Sequence, residues 1–251
     1  MARLTTAAAR RAAARVAEAI GEGRALPPFP EDCRPATPAA GGRIAALALA
    51  ELDLAPVGLR LAPGLAPGTE VAGPLVEPRL LRSPATLPAP AMPTGRRVTL
   101  ALLAQLGADL PARATPYRAG DVLRRIASLH AALDLAETRF AEGPPDLPSH
   151  LADLAGLGLV VFGPPARAGW QEAARRPLAA TLRSDADEAW HGAVEAAAAL
   201  VRAAEAARHA GGLPAGALLL VAGLSPPRPD AACEARIPRV GTVVCRSASP
   251  P

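Results

Sequence analysis

The stretch that decides the fold is "RRVTLALLAQLGADLPARATPYRAGDVLRRIASLHAALDLAETRF", residues 96–140. Its first part is an apolar strand that follows a Pro/Gly turn at 92–95, and this strand ends in a Gly-Ala-Asp-Leu-Pro corner. It ends in a second strand, where Leu133 and Leu135 point to one face and Asp134 points to the other. One acid on a strand face is therefore the first candidate for chemistry.

Between these strands, residues 117–130 predict a helix, because Val122, Leu123, Ile126 and Leu129 share one face at helical spacing. Further helices are predicted over 4–20, about 41–52 and 184–212, the last with a capping box at Ser184 and Asp187. Other strands are predicted within 55–64, 157–163, 216–224 and 241–247. Strands in runs with inserted helices predict an α+β roll rather than a doubly wound sheet.

Composition limits the chemistry. All 27 basic residues are arginine, so a lysine Schiff base and a lysine general base are excluded. The formal charge of +4 is scattered along the chain, and only 2% of the residues are aromatic. Nucleic-acid binding is therefore not expected.

Cysteine usage and hydropathy point to a cytoplasmic protein. Cys33, Cys233 and Cys245 form no C-x-x-C pair and predict buried, reduced thiols. Apolar runs such as 216–224 are too short to span a membrane, so no membrane partner is expected. The Arg-rich start resembles a mitochondrial presequence, but an amphipathic helix that ends at Gly21 is the favoured interpretation.

Common catalytic motifs are absent from the sequence. No G-x-G-x-x-G or P-loop follows a strand, the four histidines are isolated from one another, and no G-x-S-x-G elbow supports serine hydrolysis. The remaining candidates are acids on or near strands, Asp134, Glu137 and Asp153, with Arg60 and Arg139 as anion partners. A lone strand carboxylate beside an arginine is usually a structural ion pair.

The order of segments resembles a known family. A helix with "AEAIGEGRALPP" is followed by "VGLRLAPG", "GPLVEP", residues 96–140, "LADLAGLGLVVFG", "LPAGALLLVAGL" and "GTVV". This order is similar to that of the 2-keto-4-pentenoate hydratases, which belong with the 4-oxalocrotonate decarboxylases to the fumarylacetoacetate hydrolase superfamily. The resemblance implies a fumarylacetoacetate-hydrolase-like mixed β roll with inserted helices. It places a small helical region at 1–54 and a catalytic-type domain at 55–251.

The resemblance also implies an activity and its partners. Family members are cytoplasmic enzymes of aromatic-compound catabolism, hydro-lyases or decarboxylases that act on small 2-hydroxy-dienoates or 2-oxo-alkenoates. They form homo-oligomers and hydratase–decarboxylase complexes. We therefore expect a small 2-oxo acid as ligand and a homo-oligomer or a catalytic homologue as partner.

The metal site of the family is altered in this sequence. Family enzymes use Mg²⁺ or Mn²⁺, held by an acid-x-acid pair on one strand and a third acid on a later strand, because these hard ions prefer oxygen ligands. The acid-x-acid positions match Thr99 and Ala101, and the third matches Asp134. Asp134 is the one retained ligand position, so metal binding is expected to be weak or absent.

Other pocket positions depart as well. The family's lysine matches Arg60, the aspartate of its Ala-Asp-Asn-x-Ser stretch matches Asp153, and the arginine after its third acid matches Arg139. The resemblance thus implies Asp153 and Asp134 as catalytic residues. It implies Arg60, Arg139 and Thr99 as substrate-binding residues.

Two classes of function follow. An active enzyme needs a substitute for the lost acids: Glu70, Glu77 or Glu137 moving in, or metal-free acid–base chemistry by Asp134 and Asp153 with Arg60 gripping the substrate carboxylate. The alternative is a catalytically degenerate homologue. Such a protein would bind a small oxo acid through Arg60 and Arg139, or serve as a non-catalytic subunit of a hydratase or decarboxylase assembly.

Overall fold

A computed structural model describes residues 4–91, 95–185, 187–229 and 232–247. Most of the turn predicted at 92–95 lies outside the described residues. The α-helices are α1 (Thr6–Glu22), α2 (Pro38–Glu51), α3 (Ala119–Leu123), α4 (Leu147–Ala152), α5 (Trp170–Ala173) and α6 (Ala196–His209). Short 3₁₀ turns occupy Glu31–Cys33, Glu77–Arg79 and Leu154–Gly156.

The strands occupy much of the chain after α2. They are β1 (Pro56–Pro63), β2 (Glu70–Val76), β3 (Leu80–Arg82), β4 (Ala85–Leu87), β5 (Arg97–Leu106), β6 (Leu110–Pro111), β7 (Ile126–Ala136), β8 (Leu159–Pro165), β9 (Leu178–Ser184), β10 (Asp187–Val194), β11 (Gly212–Leu213), β12 (Leu218–Val221), β13 (Arg228–Pro229), β14 (Cys233–Ile237) and β15 (Gly241–Ser247).

Within the described residues, two mixed sheets and one small ribbon account for these strands. The larger sheet has the order β2-β1-β12-β5-β7-β8-β3, with β13 paired to β5. The smaller sheet has the order β10-β9-β14-β15-β4, and β11 pairs with β6. Mixed strand directions with inserted helices confirm the predicted α+β roll.

The two faces of the larger sheet pack against different partners. Leu100, Leu133 and Leu219 belong to the core shared with the smaller sheet and α6. On the opposite face, Ala101 and Ala132 pack in a second cluster with residues of α2. Period-two alternation along β5 and β7 separates the two sets, so Thr99 and Asp134 share the second face.

The N-terminal helices cover the middle of this second face. α2 contributes Ala45 and Leu49 to the cluster on the sheet, and α1 packs against α2 through Val16 and Ile44. Because the facing strand residues are alanines, α2 can lie close to the sheet. The domain boundary at residue 54 stays a prediction.

The helix predicted over 117–130 is wrong beyond its first turns. Only Ala119–Leu123 is α-helical, and the chain then enters β7 at Ile126. Strand β7 pairs antiparallel with β5 along nearly its whole length. This ladder satisfies the backbone of 126–136, so long-range pairing overrides the local helical spacing.

The long helix predicted over 184–212 is also wrong in its first half. Ser184 and Asp187 are register partners at the turn between β9 and β10, and not a capping box. The helix begins only at Ala196 and ends at His209, before two glycines with positive φ at 211 and 212. Antiparallel pairing of β10 with β9 holds the first half in a sheet.

All three cysteines are buried, as predicted. Cys233 and Cys245, distant in sequence, are register partners on β14 and β15. No α-helix in the described segments has the length and hydropathy needed to cross a membrane.

Candidate functional site

Three predicted site residues meet at one end of the second sheet face. Arg60 comes from β1, Thr99 from β5 and Asp134 from β7, and Thr99 and Asp134 are register partners. All three line a cavity of about 350 Å³, which we call the Arg60 cavity. The structure thus brings together the positions that the family resemblance assigned to lysine, one metal ligand and the third acid.

Arg60 and Asp134 form a buried bidentate ion pair. Arg60 Nε donates to Asp134 Oδ1 and Nη2 donates to Oδ2, each at 2.7 Å. Both residues are 1% exposed. Both carboxylate oxygens of Asp134 therefore accept charge-assisted hydrogen bonds from the one guanidinium of Arg60.

A strained loop completes the shell of Arg60. Leu154 and Ala155 both have φ of 53°, in the left-handed region that non-glycine residues rarely adopt. This conformation presents the Ala155 carbonyl oxygen to Arg60 Nη1 at 2.8 Å. The loop passes so close to β2 that a Cβ on Gly73 would lie 2.8 Å from that of Ala155.

The two positions that match the family's acid pair hold no negative charge. Thr99 Oγ1 lines the Arg60 cavity and accepts the Gly223 N–H at 3.0 Å. Ala101, two residues along β5, is fully buried in the apolar cluster under α2. Thr99 can still donate its hydroxyl proton to a ligand, since its bond to Gly223 uses it as an acceptor.

Asp153 and Arg139 form a second buried ion pair outside this cavity. Arg139 Nε donates to Asp153 Oδ1, and the Arg139 N–H and the Thr138 hydroxyl both donate to Oδ2 at 3.0 Å. Full burial raises the pKa of the Asp153 carboxyl, and the guanidinium opposes this shift. Arg139 also donates to the carbonyl oxygens of Asp153 and Leu157. The pair thus fixes the end of α4 in place. The catalytic role of Asp153 and the substrate-binding role of Arg139 stay predictions.

The three glutamates considered as substitute ligands lie in different places. Glu137 lines the Arg60 cavity, where its Oε2 lies 3.4 Å from Arg96 Nε and its Oε1 accepts the Ala91 N–H at 2.8 Å. Glu70 is paired with Arg202 at 3.0 Å, and Glu77 lines a different cavity. Only Glu137 is near Asp134, and it already faces an arginine.

His150, which is isolated from the other histidines in the sequence, belongs to the Arg60 cavity. Its ring lines the Arg60 cavity with 8% of its surface exposed, and Nδ1 has no hydrogen-bond partner in the part of the chain that the structure describes. Burial, with repulsion from Arg60 and Arg139, lowers its pKa to about 4. The imidazole is therefore neutral at pH 7. No sequence pattern marks it, because its neighbours in space come from β1 and the loop after α4.

Arg97 is the second residue that sequence reasoning missed. It is exposed at the start of β5 and lines the same cavity, and its guanidinium forms no hydrogen bond or ion pair with any other described residue. Arg60 and Arg96 offset Asp134 and Glu137. Among the residues that the structure describes around this cavity, the charge of Arg97 is therefore in excess, which favours an anionic ligand.

The donor set does not fit a divalent cation. Within the described residues, no group of three or more His, Cys, Asp or Glu side chains is placed to hold a metal ion. Asp134 gives both oxygens to Arg60, and that guanidinium repels a second cation at the same place. A Mg²⁺ or Mn²⁺ site of the kind implied by the resemblance therefore does not fit these side chains.

Comparison with solved structures shows the fold. The 4-oxalocrotonate decarboxylase from Pseudomonas putida G7, complexed with magnesium and adipate, superposes with a TM-score of 0.81 at 18% identity, covering 99% of this chain and 100% of that one. The same enzyme with calcium and acetate gives 0.78, again at 18% identity with 99% and 100% covered. Fumarylpyruvate hydrolase from Pseudomonas aeruginosa, in complex with Mn²⁺ and pyruvate, gives 0.53 at 14% identity, with 76% and 89% covered.

These likenesses confirm the predicted fumarylacetoacetate-hydrolase-like fold, and at such low identity they show the fold alone. The sequence matches no protein-family profile and no curated protein. Divalent metals are bound in the neighbours, whereas the side chains of this chain place an arginine against the one retained acid.

Replacing Arg60 alone tests the energetic role of the ion pair. We expect Arg60→Met to lower the free energy of unfolding by about 3–5 kcal/mol, because Asp134 is left as an unpaired buried charge. The double variant Arg60→Met/Asp134→Leu should recover most of this loss, since an apolar pair of similar volume requires no charge burial. Urea unfolding of the four proteins in the cycle measures the coupling.

Arg11→Ala is the control for this cycle. Arg11 pairs with Asp32 at 2.6 Å, but the two side chains are 54% and 67% exposed, so the loss should stay below about 1 kcal/mol. Strictly additive losses for Arg60→Met and Asp134→Leu would contradict the assigned ion pair.

His150 makes a pH-dependent contribution to stability. Its folded pKa of about 4 lies below the unfolded value of about 6.5, so the unfolded state binds more protons between these values. This contribution is complete above pH 6.5 and is lost as the pH falls toward 4. We expect His150→Leu to remove up to about 1.4 kcal/mol per pH unit of this slope, measured by urea unfolding at a series of pH values.

His191→Gln serves as the matched control, because His191 is exposed on β10. It should leave the slope unchanged. Equal slopes for the wild type and His150→Leu would show that His150 is not buried in its neutral form.

Proposed function

We propose that this protein binds a small 2-oxo acid in the Arg60 cavity without a divalent cation. The observation that carries the proposal is the Arg60–Asp134 ion pair, which puts a fixed guanidinium inside the cavity. The family resemblance and the decarboxylase-like fold support the ligand class. A cavity of about 350 Å³ is at the lower end for ligand sites and suits a molecule of a few carbon atoms.

The charged end of such a ligand has two arginines available. Arg97 brings to the cavity wall a charge that has no partner among the described residues. Arg60 uses three of the five N–H groups of a guanidinium in the bonds described above, which leaves one N–H on each terminal nitrogen. Because Asp134 and Ala155 hold the guanidinium in place, these donors are preorganised for a carboxylate.

The remaining walls suit the rest of the ligand. Neutral His150 and the Thr99 hydroxyl offer uncharged hydrogen bonds to a 2-oxo oxygen. A short hydrocarbon chain can pack against an apolar surface formed by Pro63, Leu65 and Pro227. We therefore assign the carboxylate to Arg97 and Arg60, and the oxo group to His150 and Thr99.

We further propose that the bound acid is not turned over. Addition of water to a 2-oxo-alkenoate, or loss of a distal carboxylate that is conjugated with the 2-oxo group, forms an enolate that must be stabilised, and metal-ion charge is a strong source of that stabilisation. Here Asp134 and Asp153 are both engaged by arginines, so neither offers a carboxylate oxygen without a partner. The protein would then act as a binding protein or as a non-catalytic subunit beside a catalytic homologue.

A second candidate is a metal-free hydro-lyase or decarboxylase acting on a 2-hydroxy-dienoate or 2-oxo-alkenoate. The fold of 4-oxalocrotonate decarboxylase favours it, as does a neutral imidazole in the cavity. In this case His150 would transfer the proton and Arg60 would stabilise the enolate.

Ligand binding is tested by thermal unfolding after treatment with EDTA. Pyruvate, 2-oxobutanoate and 2-oxopentanoate should raise Tm, with a stabilisation of about 1.4 kcal/mol at ten times Kd, and butanoate should be weaker because it lacks the oxo group. Arg97→Gln should raise Kd about tenfold or more. Arg10→Gln, an exposed site on α1, should leave Kd unchanged. A Tm shift that appears only after Mg²⁺ is added would contradict metal-free binding.

Turnover is tested separately with 2-hydroxypenta-2,4-dienoate and with 4-oxalocrotonate, by loss of their ultraviolet absorbance. We expect rates equal to the buffer background with and without Mn²⁺. A rate in EDTA that His150→Leu lowers about a hundredfold would favour the metal-free enzyme. A rate that depends on Mn²⁺ would contradict both candidates.

A further inference from the structure

A second cavity lies at the opposite end of the same sheet face. It has a volume of about 610 Å³ and is lined by residues that include Ser128, His130, Arg82 and Gln105. We call it the Ser128 cavity. Along β7, Ser128 lies six residues before Asp134, which is about 20 Å at the rise of a strand. The two cavities are thus separated by the alanine-lined middle of the sheet that α2 covers.

Ser128 and His130 form a hydrogen-bonded pair in this cavity. They are two residues apart on β7 and so project from the same face. Ser128 Oγ lies 3.0 Å from His130 Nε2, and His130 Nδ1 lies 2.9 Å from the Gly163 carbonyl oxygen. Because a carbonyl oxygen only accepts, Nδ1 carries the proton and the lone pair of Nε2 faces the serine hydroxyl.

Phe162 holds the histidine ring from the side. The two ring centroids are 5.5 Å apart at an interplanar angle of 89°, an edge-to-face contact. Phe162 lies on β8 beside β7, next to the carbonyl that accepts from Nδ1. The tautomer and the ring plane are therefore both set by β8, the arrangement required of a base that activates a nucleophile.

We propose that Ser128 is a nucleophile and His130 its general base, for hydrolysis of a small ester or thioester with an uncharged apolar acyl group. Ser128 Oγ attacks the acyl carbon while its proton passes to His130 Nε2. The alcohol or thiol leaves with that proton, and the acyl group stays on Oγ. Water then attacks, His130 takes a proton from the water and returns it to Oγ, and the carboxylic acid departs.

The cavity walls support this substrate class. Gln105 is the register partner of Ser128 on β5, so the two side chains leave the same face of the sheet as neighbours, and the Gln105 amide has N–H groups that can donate to the developing oxyanion. The Arg82 guanidinium stacks over Phe162 at 5.4 Å and makes no hydrogen bond or ion pair within the described segments, so its N–H groups are available as well. The acyl chain has an apolar wall to pack against, which is formed by Leu80, Leu103 and Leu218. Glu77 on the rim disfavours an acyl group with its own negative charge.

The site does not depend on the ligand proposed for the Arg60 cavity. It also needs no nucleophile elbow, because a flat strand presents the serine and a neighbouring strand sets the base. The absence of G-x-S-x-G from the sequence therefore does not exclude it.

The test treats the full chain with a fluorophosphonate, which phosphonylates activated serines, and locates the adduct by peptide mass spectrometry. We expect one adduct, on Ser128, none in Ser128→Ala and at least tenfold slower labelling in His130→Gln. Hydrolysis of 4-nitrophenyl butanoate should fall about a hundredfold in both variants. His191→Gln, which alters an exposed histidine on β10, should label and hydrolyse like the wild type.

The adduct position in the wild type tests the proposal without any variant, so a misfolded Ser128→Ala does not confuse the result. A wild-type protein that takes up no label, or one labelled at another residue, would overturn the proposal. Equal labelling rates in the wild type and His130→Gln would show that His130 does not activate Ser128 and that their hydrogen bond is only structural.

Discussion

The buried ion pair between Arg60 and Asp134 is the interaction on which the candidate site depends. Burying two charges costs several kcal/mol per ion, and the cost is offset only when geometry and hydrogen bonding are nearly complete. Here Asp134 accepts two bonds, and Arg60 also donates to Ala155. That third bond requires left-handed residues in the loop after α4 and a glycine beneath it at position 73. One guanidinium thus determines the local structure of β1, β2, β7 and this loop.

The same pair reverses the electrostatics of the cavity. An acid without a partner at this place would attract a cation. Because Arg60 offsets the charge of Asp134, the next charged residue determines the net charge of the cavity. That residue is Arg97, at the cavity wall and without a partner among the described residues. Burial lowers the pKa of His150, and repulsion from Arg60 and from Arg139, which pairs with Asp153 outside the cavity, lowers it further. Positive charges around a neutral imidazole therefore favour an organic anion over a metal ion.

The sequence was enough to predict much of the fold and part of the site. Strands β1, β5, β8 and β12 follow from apolar runs between Pro and Gly, and the family resemblance placed Arg60, Thr99 and Asp134 together. The helical errors at 117–130 and 184–212 have one cause. In each segment the local pattern favours a helix, yet pairing of β7 with β5 and of β10 with β9 satisfies the backbone in a sheet. Neither His150 nor Arg97 carried a sequence signal, since each acquires its role from residues distant in the chain.

By itself, the sequence determined that lysine chemistry is impossible, that no acid stands at the two positions the resemblance assigns to a metal-binding pair, and that the chain builds an α+β roll from small apolar residues. These properties depend on which side chains are present and on their local order. Only the tertiary structure decided that Arg60 neutralises Asp134, that Asp153 lies outside the cavity, and that Ser128 faces a base whose tautomer is set by β8. Such pairings join residues from different parts of the chain. Whether a charge is free or paired depends on the distances between side chains, and these distances are set only when the strands pair in register.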